Sequence, residues 1–174
     1  MGKYVSLLRG INVGGRNIKM KDLQDCYASI GITDVKTYLQ SGNVTFNAAE
    51  TDETLITKKL ELAVSDRFNY PAKIFVLVED KLKQIIENYP FDSTDNMYQY
   101  YVIFTRKGIA KNLYNQGESL KSELDKIALG EGVLYWKVLK GITVDSPFSK
   151  LLVKCEFKDF HTNRNLKTLS KLLS

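Results

Sequence analysis

Asp34-Val35-Lys36-Thr37-Tyr38-Leu39-Gln40-Ser41-Gly42-Asn43-Val44-Thr45-Phe46-Asn47 is the stretch on which the fold turns. Asp34 to Gln40 reads as a strand, with Val35, Thr37 and Leu39 alternating against Lys36, Tyr38 and Gln40. Ser41-Gly42-Asn43 reads as a tight turn, because glycine and asparagine tolerate positive φ. Val44 to Asn47 then returns as the partner strand. Upstream, Met20, Leu23, Tyr27 and Ile30 recur at helical spacing, and Gly31 stops that helix. Before it, Tyr4 to Leu8 is an apolar, β-prone strand bounded by Gly10. Downstream, Thr51 or Asp52 caps a helix whose inner face is Ile56, Leu60, Ala63 and Val64, ended by Tyr70-Pro71. Lys73 to Val78 is a fourth strand.

The order strand-helix-strand-strand-helix-strand is the ferredoxin-like α+β unit. In that unit the first and second strands run the same way and the third lies between them, running back. The loop leaving strand one and the turn leaving strand two therefore belong at one end of the sheet. Arg9–Arg16 and Gln40–Asn43 are expected to face one another, although about thirty residues separate them.

The second half starts with a short helix, Asp80 to Asn88, and a polar link, Asp92 to Asn96. Tyr98 to Thr105 is apolar on both faces, as a central strand is. Lys107 to Asn115 is poorly patterned. Glu118 to Leu129 reads as a helix through Leu120, Leu124 and Ile127, stopped by Gly130. Val133 to Leu139 and Ile142 to Val144 read as a hairpin turned at Lys140-Gly141. Ser146-Pro147 opens a helix through Leu151, Leu152 and Cys155, with proline in its first turn. The expectation is thus a ferredoxin-like half over residues 1–78, a connecting helix and link over 79–97, and a second, similar but incomplete strand-helix-strand-strand-helix half over 98–174. A closing helix through Leu166, Leu169 and Leu172-Leu173 is capped by Thr162 or Asn163, with Arg164 and Asn165 in its first turn. A cation there opposes the helix dipole, so Arg164 is best understood pointing at an acid or an anion.

A domain of 174 residues buries roughly 70% of its unfolded surface, so it needs no disulfide or metal to hold it. No apolar run nears the length of a membrane helix, and Arg9 with the glycines interrupts any leader-like stretch. Cys26 and Cys155 fall in helical apolar patterns, as buried thiols of a cytoplasmic protein do. The net charge of +5 is concentrated: residues 1–24 and residues 150–174 each carry +4, and the rest sums to −3. If the ends meet, they form one positive surface suited to a phosphate-bearing partner; otherwise they are solvated lysines on unrelated faces.

Gly10-x-x-x-Gly14-Gly15-Arg16-Asn17 fails as a P-loop. Gly10 and Gly15 enclose the four residues the motif needs, but Arg16 replaces the lysine and Asn17 replaces the hydroxyl that holds magnesium. No dinucleotide fingerprint is present either, so no cofactor is implied. What survives is generic: glycines without Cβ, amides near a helix N-terminus, and arginines able to grip an oxyanion. Equally, the glycines can simply permit a sharp turn, with Arg9 paired to a carboxylate. His161 is the only histidine, so no zinc cluster of usual composition can form, and Ser41 has no histidine base unless His161 folds back to it. Tyr98, Tyr100, Tyr101 and Trp136 fit either a base-stacking platform or sheet packing.

Three segments together resemble the bacterial DUF1697 family of uncharacterised proteins: Leu7-Leu8-Arg9-Gly10-Ile11-Asn12-Val13-Gly14-Gly15 running to Lys19-Met20, Thr37 to Phe46, and Thr162-Asn163-Arg164-Asn165 with Thr168 and Lys171-Leu172. The family's closing segment often has tryptophan after the Arg-Asn pair, where Leu166 stands here. The resemblance implies an α+β fold with ferredoxin-like halves, and no activity.

The leading expectation is a protein binding an anionic ligand (nucleic acid, a nucleotide or a phosphorylated metabolite). Its site would comprise Arg9, Gly10, Asn12, Gly14, Gly15, Arg16, Gln40, Ser41, Gly42 and Asn43, with Thr162, Arg164 and Asn165 as a third wall. Two alternatives stay open. One is an enzyme acting on a small phosphorylated or carboxylated substrate, with Arg9 as oxyanion clamp and Ser41 or Asn43 at the chemistry. The other is a protein contact on the tyrosine-rich half. Nothing in the sequence sets the oligomeric state.

Overall fold

The computed structural model describes residues 1–154 and 156–174; the expectation for Cys155 lies outside them. The chain divides into two compact units, Met1–Lys83 with Leu172–Ser174, and Gln84–Lys171. None of the helices among the described residues is long and apolar enough to cross a membrane.

In the first unit the elements run β1 (Gly2–Arg9), α1 (Met20–Ser29), β2 (Thr33–Tyr38), β3 (Asn43–Ala48), α2 (Glu53–Phe68) and β4 (Lys73–Val78). The sheet order is β2-β3-β1-β4, with β1 antiparallel to both neighbours. This is the ferredoxin-like arrangement that the hairpin reading requires. Tyr4, Val5, Ser6, Leu7 and Leu8 are all buried, which is why β1 reads as continuously apolar. Tyr4 and Leu8 face the helices and pack with Leu23, Tyr27, Ile56, Leu60 and Val64. Ser6 lies on the same face and bonds the Tyr27 hydroxyl at 2.9 Å. Asp52 caps α2, accepting from the Thr54 and Leu55 amides, and Asn69 ends it in the left-handed conformation. Leu39 departs from its expected inward place. It is 58% exposed with φ of 57°, because β2 ends at Tyr38 and the turn starts there.

The second unit holds the later part of α3 (Glu79–Glu87), then β5 (Tyr98–Thr105), α4 (Ile109–Ser119), β6 (Asp125–Leu129), β7 (Val133–Leu139), α5 (Pro147–Leu152), β8 (His161–Asn165) and most of α6 (Leu166–Leu172). Its sheet order, β6-β7-β5-β8, repeats that of the first unit element for element. Three expectations are corrected here. Residues 125–129 form a strand, not a helix: Leu120 and Leu124, which set the helical spacing, are 38% and 44% exposed. The true helix is α4, whose buried face of Ala110, Leu113 and Gly117 has a single large apolar residue and so does not register as a hydrophobic stripe. The hairpin joins β6 to β7 through Gly130–Gly132; Ile142 instead begins a turn, its carbonyl accepting from Asp145 and Ser146.

The third correction completes the half. Thr162–Asn165, expected to open the closing helix, is β8, paired with β5 through Thr162↔Phe104 and Arg164↔Val102. The second unit is therefore not one strand short. The cap of α6 is Asn165, whose Oδ1 accepts from the Lys167 amide at 2.9 Å.

Candidate functional site

The end of the first sheet behaves as its topology demands. The loop after β1 and the turn before β3 meet there. Asn12 donates from Nδ2 to the Gln40 carbonyl (2.8 Å), and its Oδ1 accepts from the Ile18 amide (2.7 Å). The Leu8 amide donates to the Gly42 carbonyl at 2.8 Å. Asn43, fully buried, closes the turn by donating to the Ser41 hydroxyl (2.7 Å) and the Tyr38 carbonyl (3.2 Å). Gly42 has φ of +71°, and a Cβ there would stand 2.8 Å from Leu8 Cβ and 3.0 Å from Ile11 Cγ2. Ile11 is buried against this bare backbone. Asn12 and the Gly42 carbonyl thus tie the two segments together, while Asn43 fixes the shape of the turn from within.

Beyond this clasp, Val13-Gly14-Gly15-Arg16 forms a tight turn with φ positive at both glycines and the Arg16 amide donating to the Val13 carbonyl at 3.2 Å. Both glycines are exposed, with open space where a Cβ would sit. Arg16 folds back: its Nη1 donates to the Gly10 carbonyl at 3.0 Å and its Cζ stands 4.1 Å over the Tyr70 ring. Burial, opposed by the nearby Arg16 charge, pushes the Tyr70 hydroxyl above its ordinary range. The chain then enters α1 at Lys19, a cap residue with no acceptor for the first-turn amides.

Arg9 goes elsewhere. It follows Leu8 on β1, so it leaves the sheet on the face opposite the helices, registered against Lys73 of β4. Tyr70, under Arg16, belongs to the helix-side core. The two arginines of the loop therefore stand on opposite faces of the sheet. Lys73 went unnoticed in the sequence because only the strand register sets it beside Arg9.

Thr162, Arg164 and Asn165 lie in the second unit. Arg164 donates from Nη1 to the Thr162 hydroxyl (2.7 Å) and the Asn163 carbonyl (2.8 Å). Since it sits on a strand, the dipole argument for an anion beside it falls. His161 is buried, with Nε2 at 2.8 Å from the Leu152 carbonyl. The tyrosines form no single platform. Tyr101 registers with Trp136 on the helix-facing side, whereas Tyr100 registers with Lys137 on the other, where that lysine covers Tyr98 at 4.0 Å. Among the described residues no group of three or more His, Cys, Asp or Glu side chains is arranged to hold a metal.

Two ferredoxin-like units with a clasped glycine loop define the class: an α+β protein whose shared motifs build backbone as much as they offer side chains. The chain belongs to the DUF1697 family, proteins of unknown function, whose profile matches residues 1–135. That match spans the first two motifs and stops short of Thr162–Asn165. Among solved structures, the chain is similar to the conserved bacterial protein SP0830 from Streptococcus pneumoniae, at 25% identity and a TM-score of 0.85 over 99% of this chain and 98% of that one. An unknown protein from Galdieria sulphuraria aligns at 13% identity over 94% of this chain and 96% of the other, but with a TM-score of 0.29. None of the curated proteins compared with the chain matches it.

Proposed function

We propose that the glycine loop of the first unit binds a phosphate-bearing anion, cradled by the Gly14-Gly15 turn and the first turn of α1. The observation that carries this is the N-terminus of α1, a ten-residue helix whose cap, Lys19, supplies no side-chain acceptor. Its amides and dipole favour an anion. Arg16 supplies a guanidinium already ordered by Tyr70 and the Gly10 carbonyl, and Lys19 adds exposed positive charge, whereas Lys21 is paired with Asp25 at 2.9 Å. Asp22 in the same turn partly offsets them. Asn12 and Asn43 serve as supports in this reading. Nothing in the loop is placed as a general base, which favours recognition over catalysis.

Titration of the full chain with inorganic phosphate, a mononucleotide, single-stranded DNA and RNA in low salt tests this. Amide resonances of Gly14–Arg16 and Met20–Asp22 are expected to shift, and Arg16→Ala to weaken binding about tenfold or more. A nucleic-acid ligand would show a steep fall of affinity with salt. No response of these amides to any of the four probes would overturn the reading.

A further inference from the structure

The second unit carries a cavity of about 370 Å³ where the end of α4 meets β6 and α5. Its volume is within the range of small-ligand pockets. Asp125 lines it. That carboxylate is 7% exposed, and no lysine or arginine forms an ion pair with it among the described residues. Each oxygen takes one hydrogen bond: Oδ1 from the Trp136 indole at 2.7 Å, Oδ2 from the Phe148 amide at 3.0 Å. A carboxylate has about four acceptor positions, so half its capacity is unspent.

The other charged residues around the cavity, Glu118, Lys121 and Lys126, are all exposed. α4 ends at the cavity with no basic residue in its last turn, presenting the negative end of its dipole, and Glu118 stands beside it. Phe91 and Phe148 contribute aromatic surface and Ile127 and Leu120 aliphatic surface. A buried carboxylate with unspent acceptor positions between aromatic walls complements an ammonium group on an apolar body, while the exposed Lys121 and Lys126 oppose it only through solvent-screened charge.

We propose that this cavity is a binding site for a small primary amine, its ammonium donating to Asp125 and its apolar body lying against Phe91, Phe148 and Ile127. The site is separate from the glycine loop, and its test does not depend on that reading.

Trp136 is the only tryptophan, and its indole is bonded to the acceptor in question, so it reports occupancy directly. Benzylamine, benzyl alcohol and benzoate are titrated into the full chain while the Trp136 indole N–H resonance and fluorescence are followed. A saturable change with benzylamine, at least tenfold weaker for the alcohol and absent for benzoate, is expected. Leu120→Phe, at the rim and outside the Asp125 bonds, should abolish the response while leaving the free indole resonance in place. Asp125→Asn should weaken benzylamine roughly 10- to 100-fold where it folds. No benzylamine response, an equal response to benzyl alcohol, or an unaltered response in Leu120→Phe would each overturn the proposal.

Discussion

Gly42→Ala tests the clasp between the two shared motifs. Two costs follow from the geometry. A φ of +71° places alanine in the left-handed region, at about 1–2 kcal/mol. The new methyl would stand 2.8 Å from Leu8 Cβ and 3.2 Å from the Leu8 carbonyl oxygen, part of rigid β1 backbone. Relieving that overlap must move the turn or strand, at about 1–3 kcal/mol by analogy with overpacked cores. The sum, about 2–5 kcal/mol, is a large share of the 5–15 kcal/mol of a typical domain. Thermal unfolding followed by far-ultraviolet circular dichroism should show a midpoint lower by about 4–20 °C, at about 2–4 °C per kcal/mol. Gly14→Ala is the control. Its φ of +62° carries the same conformational cost, but no atom lies within 4 Å of the added methyl. Gly14→Ala should therefore lose only about 1–2 kcal/mol. Equal losses in the two variants would refute the close approach, and with it the reading of Gly42 as a spacer between Leu8 and Ile11.

Two further expectations follow. Asp125→Ala strips acceptors from the buried Trp136 indole and the Phe148 amide and should cost about 2–5 kcal/mol, read by urea unfolding at Trp136 fluorescence; a loss below about 1 kcal/mol would show that water replaces both bonds. Burial drives the Tyr27 hydroxyl far above its ordinary value of 10.0, with Ser6 bonding opposing and Cys26 reinforcing the shift, so the folded state holds its proton more tightly than the unfolded chain. Stability is then full below about pH 10 and declines as pH rises further, and phenolate absorbance should show this tyrosine ionising only as the protein unfolds. Ionisation of every tyrosine near pH 10 in the folded protein would contradict that.

The sequence by itself determined the first unit closely. Strand alternation, the Ser41-Gly42-Asn43 turn and the Asp52 cap are local signals, and the ferredoxin-like order made from them placed two distant loops side by side. It also excluded a P-loop by side chain, with Arg16 and Asn17 where the lysine and hydroxyl belong. The second unit was legible in its strong strands and illegible between them. Leu120, Leu124 and Ile127 keep helical spacing, yet β6 forms there because β7 offers a ladder and Asp125 finds the Trp136 indole. β8 looked like a helix cap because Thr162, Asn163 and Asn165 are good capping residues wherever they stand; pairing with β5 decided otherwise. The same holds at the candidate sites. The glycines announced an open turn, but whether Arg9 and Arg16 converge depends on the face by which Arg9 leaves β1 and on the side of the sheet to which the loop carries Arg16. That is a property of the assembled sheet, and no run of residues states it in advance.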